Sequence, residues 1–333
     1  MWPSQLEQLI AEGKREGVFT QASFAVGTLE EMWTGGETET WFDLASVTKV
    51  VGTTSSIISL VGDGKLAFDM PWREVLPETP QDFDGVTVRD VMRHRAGYRA
   101  HRRLDLIYPN PEAAWAGLLA EKPFIEPHKE THYSCLGFLL LGMVVARSSG
   151  MAYSNFTMKV LNEFIGEGEF QFGLPKDQRV HAAPTECLAD GTCIQGTVHD
   201  ENAAFLAPEA GNAGLFSRAS AMGKFGQLVL RTVLGLEDHP RMRAAVLQEA
   251  IFGPSEGRSL GYDRKAAMDA SVGDLWGSRS FGHLGFTGTS FWVEPDRRIF
   301  AVLLTNRVHT TRDNPKIHDF RRRFHTEVFK NIP

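Results

Sequence analysis

A chain of 333 residues corresponds to two ordinary domains or one elaborated one. A hydrophobic fraction of 42% beside 23% charged residues belongs to a folded chain with a substantial core, not to a disordered or disulfide-stapled one. Thirty-five basic against 41 acidic side chains leave a formal charge of −6, the wrong sign for a nucleic-acid binder.

In chain order, residues 5 to 16 predict an amphipathic helix. Charge interrupts the apolar residues of MWPSQLEQLIAEGKREG, so this start does not read as a signal peptide, and a cytoplasmic location is expected, or a periplasmic one if a signal peptide has been removed. Alternation over Ser23 to Trp33 and Glu37 to Leu44, with Gly35-Gly36 between, predicts a hairpin turning at the two glycines. Ser46 to Val61 predicts a largely apolar, buried helix ended by Gly62 and Gly64. Helical spacing follows at Thr87 to Arg93, Pro111 to Glu121, Ser134 to Arg147, Tyr153 to Gly166 and Arg218 to Leu234. The longest strongly apolar run, Phe138 to Ala146, is far short of the roughly 20 residues that span a bilayer. Phe170 to Gly211 has no clear period, and so long an irregular stretch is more often functional than idle. Strands at Phe281 to Thr287, Ser290 to Glu294 and Ile299 to Thr305, then a helix from Lys316 to Phe329, close the chain. Strands at both ends with helices between predict an α/β (α+β) fold. Its antiparallel sheet is flanked by helices and built from both chain ends, 1–64 and 266–333, with a mostly helical domain inserted over 65–265.

Three cysteines, Cys135, Cys187 and Cys193, form an odd set without C-x-x-C spacing, which predicts free thiols, with a Cys187–Cys193 bridge across a turn as the alternative, and no zinc ribbon. His128 and His132 mimic a zincin pair, but the glutamate stands one place late, and no metal site or cofactor is expected. The basic stretch with Arg93, Arg95, Arg99, Arg102 and Arg103 reads as a solvated loop face. With no G-x-S-x-G, an α/β-hydrolase is excluded.

Ser46-Val47-Thr48-Lys49 opens the buried helix. Residues three apart share a helical face, which brings the Lys49 amine to the Ser46 hydroxyl. A serine hydroxyl needs a neighbouring base to become a nucleophile, and the start of an apolar helix supplies desolvation and N–H groups that favour a developing anion. Tyr133, beside Ser134 and Cys135 at the start of another apolar helix, is a candidate proton relay. His283-Leu284-Gly285 on a C-terminal strand offers a close backbone approach at Gly285, and Phe286 supplies the next N–H as an oxyanion donor.

These three groups, in this order, resemble the signature of the penicillin-recognising serine hydrolases: S-x-x-K, then Y-x-N, then K-T-G or H-x-G on an edge strand. VTVRDVMRHRAGY, YSCLGFLLLG, GNAGLFSRASAMGKFGQLVL and GTVHDENA are similar to segments of class C β-lactamases, D,D-peptidases and related esterases, so the resemblance runs from about Ser23 to Thr305. It implies Ser46 as acylated nucleophile, with either Lys49 or Tyr133 taking the first proton. The N–H groups of Ser46 and Phe286 would form the oxyanion hole, and Cys135, His283, Leu284 and Gly285 would contact substrate. Cys135 stands where the family has an asparagine, and His283 where β-lactamases have a charged lysine. Both departures point to hydrolysis of a small or peptide-like ester or amide with weak or no β-lactamase activity. The alternatives are a D,D-peptidase or muropeptide-processing enzyme, a β-lactamase, and a catalytically silent ligand-binding protein of the same fold.

Overall fold

Residues 22 to 27 and 299 to 305 alternate in which way they face yet are buried on both sides, which places them at the centre of a sheet covered on each face. In the computed structural model, which describes residues 2–254, 258–266 and 270–332, nine strands occur: β1 (Ala22–Gly27), β2 (Met32–Gly36), β3 (Phe42–Asp43), β4 (Phe170–Phe172), β5 (Leu215–Ser217), β6 (Asp263–Arg264), β7 (Phe281–Leu284), β8 (Ser290–Glu294) and β9 (Ile299–Thr305). An antiparallel sheet runs β2-β1-β9-β8-β7-β6, and a small one runs β3-β5-β4. Sequence-distant β1 and β9 pair directly, Ala22 opposite Thr305 through Gly27 opposite Phe300.

Phe24, Val26, Ile299, Ala301 and Leu303 pack outward against the terminal helices Trp2–Arg15 and Ile317–Asn331 through Leu6, Ile10, Phe320 and Phe324. Ala25, Phe300, Val302 and Leu304 face the helical body. The Ala219–Val233 helix lies close on that inner face: a Cβ at Gly226 would stand 2.5 Å from the Phe300 ring, so only glycine permits the approach. Helix Cys135–Ser149 is apolar around most of its circumference and carries fully buried Leu136, Leu139, Leu140, Leu141, Val144 and Val145. It is a core helix. Among the described residues, no single helix is long and apolar enough to cross a membrane.

Several expectations need correction. The first hairpin turns at 28–31, where the Thr28 hydroxyl accepts from the Glu30 and Glu31 N–H groups, rather than at Gly35-Gly36. Those glycines lie within β2 because a Cβ on Gly35 would meet Glu7 and Phe24, and one on Gly36 the Ala22 carbonyl. Packing selects Gly35, whereas Gly36 also takes φ 74°, which favours glycine. The expected helix from Ser46 begins as a 3₁₀ turn (Ala45–Val47), passes through a π-helical stretch (Lys49–Thr54), and becomes α-helical only over Ser55–Gly62. β7 is not the sheet edge: β6 covers Phe281 and Gly282, leaving the chain from His283 onward uncovered on that side. Residues 170 to 211 include β4 and a short helix, Glu201–Leu206. Finally, Cys187 and Cys193 are joined as a disulfide, not free, because a tight antiparallel bridge brings them directly opposite one another. Cys135 is the free thiol.

Candidate active site

The backbone entering the 3₁₀ turn is held from three directions. Leu44 N–H donates to the Leu215 carbonyl of β5 at 2.9 Å. The Thr287 hydroxyl donates to the Asp43 carbonyl at 2.8 Å, and that of Thr289 to the Leu44 carbonyl at 3.1 Å. The buried Asp43 carboxylate accepts from Ala45 N–H at 2.7 Å and from His199 N–H at 2.9 Å. This clamp holds Ala45 at φ 46°, a conformation unusual for a residue with a side chain, and so sets the direction of Ser46. Burial pushes the Asp43 carboxyl up, and the two N–H bonds pull against that.

Lys49, fully buried, lies one turn on from Ser46. Its Nζ donates to Ser46 Oγ at 3.0 Å, to the Asn212 carbonyl at 2.9 Å and to Cys135 Sγ at 3.5 Å, and it stands 5.2 Å from the centre of the Tyr133 ring. Burial pushes the Lys49 ammonium down, but the anionic forms of Cys135 and Tyr133 beside it pull harder and hold it above the ordinary lysine value. Burial pushes the Tyr133 phenol up, with Lys49 the main opposing influence. Tyr133 precedes helix Cys135–Ser149, whose N-cap Ser134 accepts from Gly137 N–H through its hydroxyl. Ser134 N–H in turn donates to Nδ1 of buried His94 at 3.0 Å, and the His94 ring lies 4.6 Å from that of Tyr133. Burial, followed by nearby Arg258 and Lys49, holds His94 well below the ordinary imidazole value. Its neutral Nδ1 therefore stays an acceptor.

His283 is buried, its ring 6.0 Å from that of Tyr133, and its Nδ1 bonds the Leu284 carbonyl at 2.7 Å. Burial lowers it to about 4, so at neutral pH it carries no charge. Gly285 packs tightly, since a Cβ would strike the Thr289 hydroxyl and the Leu44 carbonyl. Phe286 is half exposed, stacked on His199 at 5.7 Å, and no acceptor for its N–H occurs among the described residues. Buried Arg321 of the C-terminal helix fixes this turn by donating to the carbonyls of Gly285 (2.6 Å), Thr289 (2.8 Å) and Gly288 (3.1 Å). Burial lowers its guanidinium to about 9.

Ser46, Tyr133, Cys135 and Phe286 all line one cleft of about 290 Å³, together with His199, Asp200, Glu201 and Arg312. Lys49 lies beneath its floor. Leu284 and His283 stand behind the cleft and are not part of its lining. Arg312 is engaged by Glu186 and Glu201. Arg102 and Arg103 are spent on Glu121, Asp105 and Glu201. Sequence reasoning missed Asp43, His94, Asn212 and Arg321, all of which act through the backbone. The segments containing His94, His199 and Asn212 stood out, but nothing in one dimension shows which of their atoms meet.

Comparison with known proteins adds a sequence model described as Beta-lactamase, which matches residues 6–325. The N-acetylmuramyl-L-alanine amidase of Bacillus subtilis (strain 168) is 27% identical over 322 residues, covering 85% of this chain and 72% of that protein. A solved Beta-Lactamase/D-Alanine Carboxypeptidase from Pseudomonas syringae superposes with a TM-score of 0.78 at 16% identity, covering 100% of this chain and 99% of that one. EstCE1, described as a hydrolase with promiscuous acyltransferase activity, gives a TM-score of 0.76 at 17% identity over 98% of each chain. At such identities the two structures speak to the fold alone.

Proposed function

Since the chain belongs to the Beta-lactamase family, a family of serine hydrolases, we propose that it hydrolyses a small carboxylic ester through an acyl-enzyme on Ser46. The observation that carries this reading is Lys49 Nζ at 3.0 Å from Ser46 Oγ, over a cleft that Tyr133 also lines. Ser46 Oγ attacks the ester carbonyl carbon while its proton passes to the Lys49–Tyr133 pair, which enters the step with one proton between its two sites, as ammonium with phenolate or amine with phenol. The oxyanion is received by the N–H groups of Ser46 and Phe286. Collapse breaks the bond to the alcohol, which leaves with the proton held by the pair, and water then releases the acid by the same route in reverse. Asp43 and Arg321 act as positioning residues, the first for Ser46 and the second for the turn that bears Phe286. On this reading the cleft forms where 1–64 with 266–333 meets 65–265.

Electrostatics favour an uncharged ester. Arg312, the permanent cation of the lining, is already neutralised by two carboxylates, and burial keeps His283 neutral. Among the described residues lining the cleft, a substrate carboxylate, as carried by a β-lactam or a D-alanyl peptide, meets no permanent cation other than the already paired Arg312. Peptidase or amidase action is the second reading, favoured by the name of the Bacillus protein. A fluorophosphonate probe is expected to label the wild type and not Ser46→Ala, and turnover of p-nitrophenyl acetate is expected to vanish in the same variant. Labelling that survives the substitution rules the reading out. Ser46-dependent release of D-alanine at rates exceeding ester turnover would favour the peptidase.

A further inference from the structure

Histidines apart, the lining of the catalytic cleft carries three charged side chains among the described residues: Asp200, Glu201 and Arg312. Glu201 and Arg312 are bonded to each other at 2.8 Å, and both have further partners, Glu201 in Arg103 and Arg312 in Glu186. Arg103 is shared in turn with Asp105. Three carboxylates therefore meet two guanidiniums, and that network has no cation to spare.

Asp200 stands outside it. Its Oδ1 accepts from Ala203 N–H at 2.8 Å, as N-cap of helix Glu201–Leu206, and from Asn212 Nδ2 at 3.1 Å. Both bonds fall on one oxygen. Among the described residues, Oδ2 has no hydrogen-bond partner and the carboxylate has no cation within ion-pair distance. The two amides fix the side chain without neutralising it. Lys49 is within electrostatic reach, and Asp200 helps to hold its ammonium up, against burial and behind Cys135 and Tyr133. With one proton between its two sites, however, the Lys49–Tyr133 pair carries no net charge. The charge left over in the cleft is the negative one of Asp200.

Resting on the reading of Ser46 as the acylated nucleophile, we propose that Asp200 determines specificity, and that the substrates are small esters carrying a cationic nitrogen that sits against Asp200 Oδ2. The ester group at Ser46 stays uncharged, and the charge is on a substituent a few bonds away. In a cleft of about 290 Å³ such a substituent meets the side chains around it. An ammonium there exchanges water for a charge-assisted bond to Oδ2, whereas an alkyl group expels water and leaves that oxygen without a donor.

The experiment is kcat/KM within two pairs of esters matched in shape, each value divided by the ester's own rate with hydroxide. One pair places the charge on the acid, p-nitrophenyl β-alaninate against p-nitrophenyl butyrate. The other places it on the alcohol, acetylcholine against 3,3-dimethylbutyl acetate. In the wild type the cationic ester is expected to exceed its neutral partner by about tenfold in at least one pair, the worth of one hydrogen bond or ion pair to a charged group. In Asp200→Asn that ratio is expected to fall to near one, because the amide keeps an acceptor for Ala203 and Asn212 and loses only the charge. A wild-type ratio near one in both pairs, or a ratio that survives the substitution, overturns the proposal, while Ser46-dependent turnover of p-nitrophenyl acetate keeps the hydrolase reading. Both members of a pair slowing alike in Asp200→Asn likewise overturns it, since a residue acting only through Asn212 and Lys49 cannot tell the two esters apart. Absence of Ser46-dependent turnover of every ester overturns both readings. If Asp200→Asn fails to fold, seen as lost circular dichroism, Asp200→Ser, a second neutral N-cap, decides.

Discussion

Cys135 is where the chemistry of a single side chain bears most directly on specificity. Its sulfur sits 3.5 Å from Lys49 Nζ and lines the cleft, yet a thiol is a weak hydrogen-bond partner beside the carbonyl oxygen and amino group of an asparagine. Cys135→Asn supplies an acceptor for Lys49 and a donor for a substrate amide. We expect labelling of Ser46 by a fluorescent penicillin to speed up by about tenfold, the worth of one hydrogen bond to a charged group. An unchanged rate would place the obstacle elsewhere, in the neutral His283. Asp43 makes a different point at this scale: it does not line the cleft, but its two oxygens tie the strained Ala45 to His199, which does.

Among elements, the start of the nucleophile's helix and the turn after β7 stand out. The 3₁₀ turn and π-helical stretch from Ala45 to Thr54 let both Ser46 and Lys49 point into one place, a departure from regular winding often found at functional sites. The turn of 285–289 is tied to residues 43 and 44 by the Thr287 and Thr289 hydroxyls, and Arg321 adds donors to three of its carbonyls. Arg321→Met would leave the Gly288 carbonyl without a donor and take one of two donors from the Gly285 and Thr289 carbonyls, and urea unfolding is expected to show a loss of about 2 kcal/mol. Since the Phe286 N–H belongs to this turn, kcat for acetate is expected to drop more than KM changes. The conservative Arg321→Lys should recover part of both. A stability loss with kcat intact would make Arg321 a purely structural residue.

For the whole molecule, burying several imidazoles neutral ties stability to pH. Burial holds His283 at about 4 and His325 at about 3, and His94 lies well below its ordinary value. In the unfolded chain these residues bind protons below about pH 6.5, whereas the native protein does not until far lower. Acid therefore favours unfolding. The melting temperature is expected to fall continuously from about pH 6.5 toward 3, where the native imidazoles also protonate, and His325→Gln should flatten the lower part of that slope. A melting temperature constant between pH 6.5 and 4 would contradict the burial of these groups.

Local patterns alone determined most of the helices, the three C-terminal strands and the spacing of Ser46 and Lys49, because apolar periodicity and a one-turn offset are properties of neighbours in the chain. Motif order then placed Ser46, Tyr133 and His283 in one reading. What only the tertiary structure decided involves partners far apart in sequence. Gly35 serves a strand and not the turn, since Phe24 and Glu7 leave no room there for a Cβ. Cys187 and Cys193 bond because a bridge sets them face to face. His283 loses its charge because the sheet buries it, and Asp43 and Arg321 matter through backbone groups that no residue type advertises. Burial and hydrogen-bond direction arise from the packing of distant segments, so a one-dimensional pattern cannot carry them.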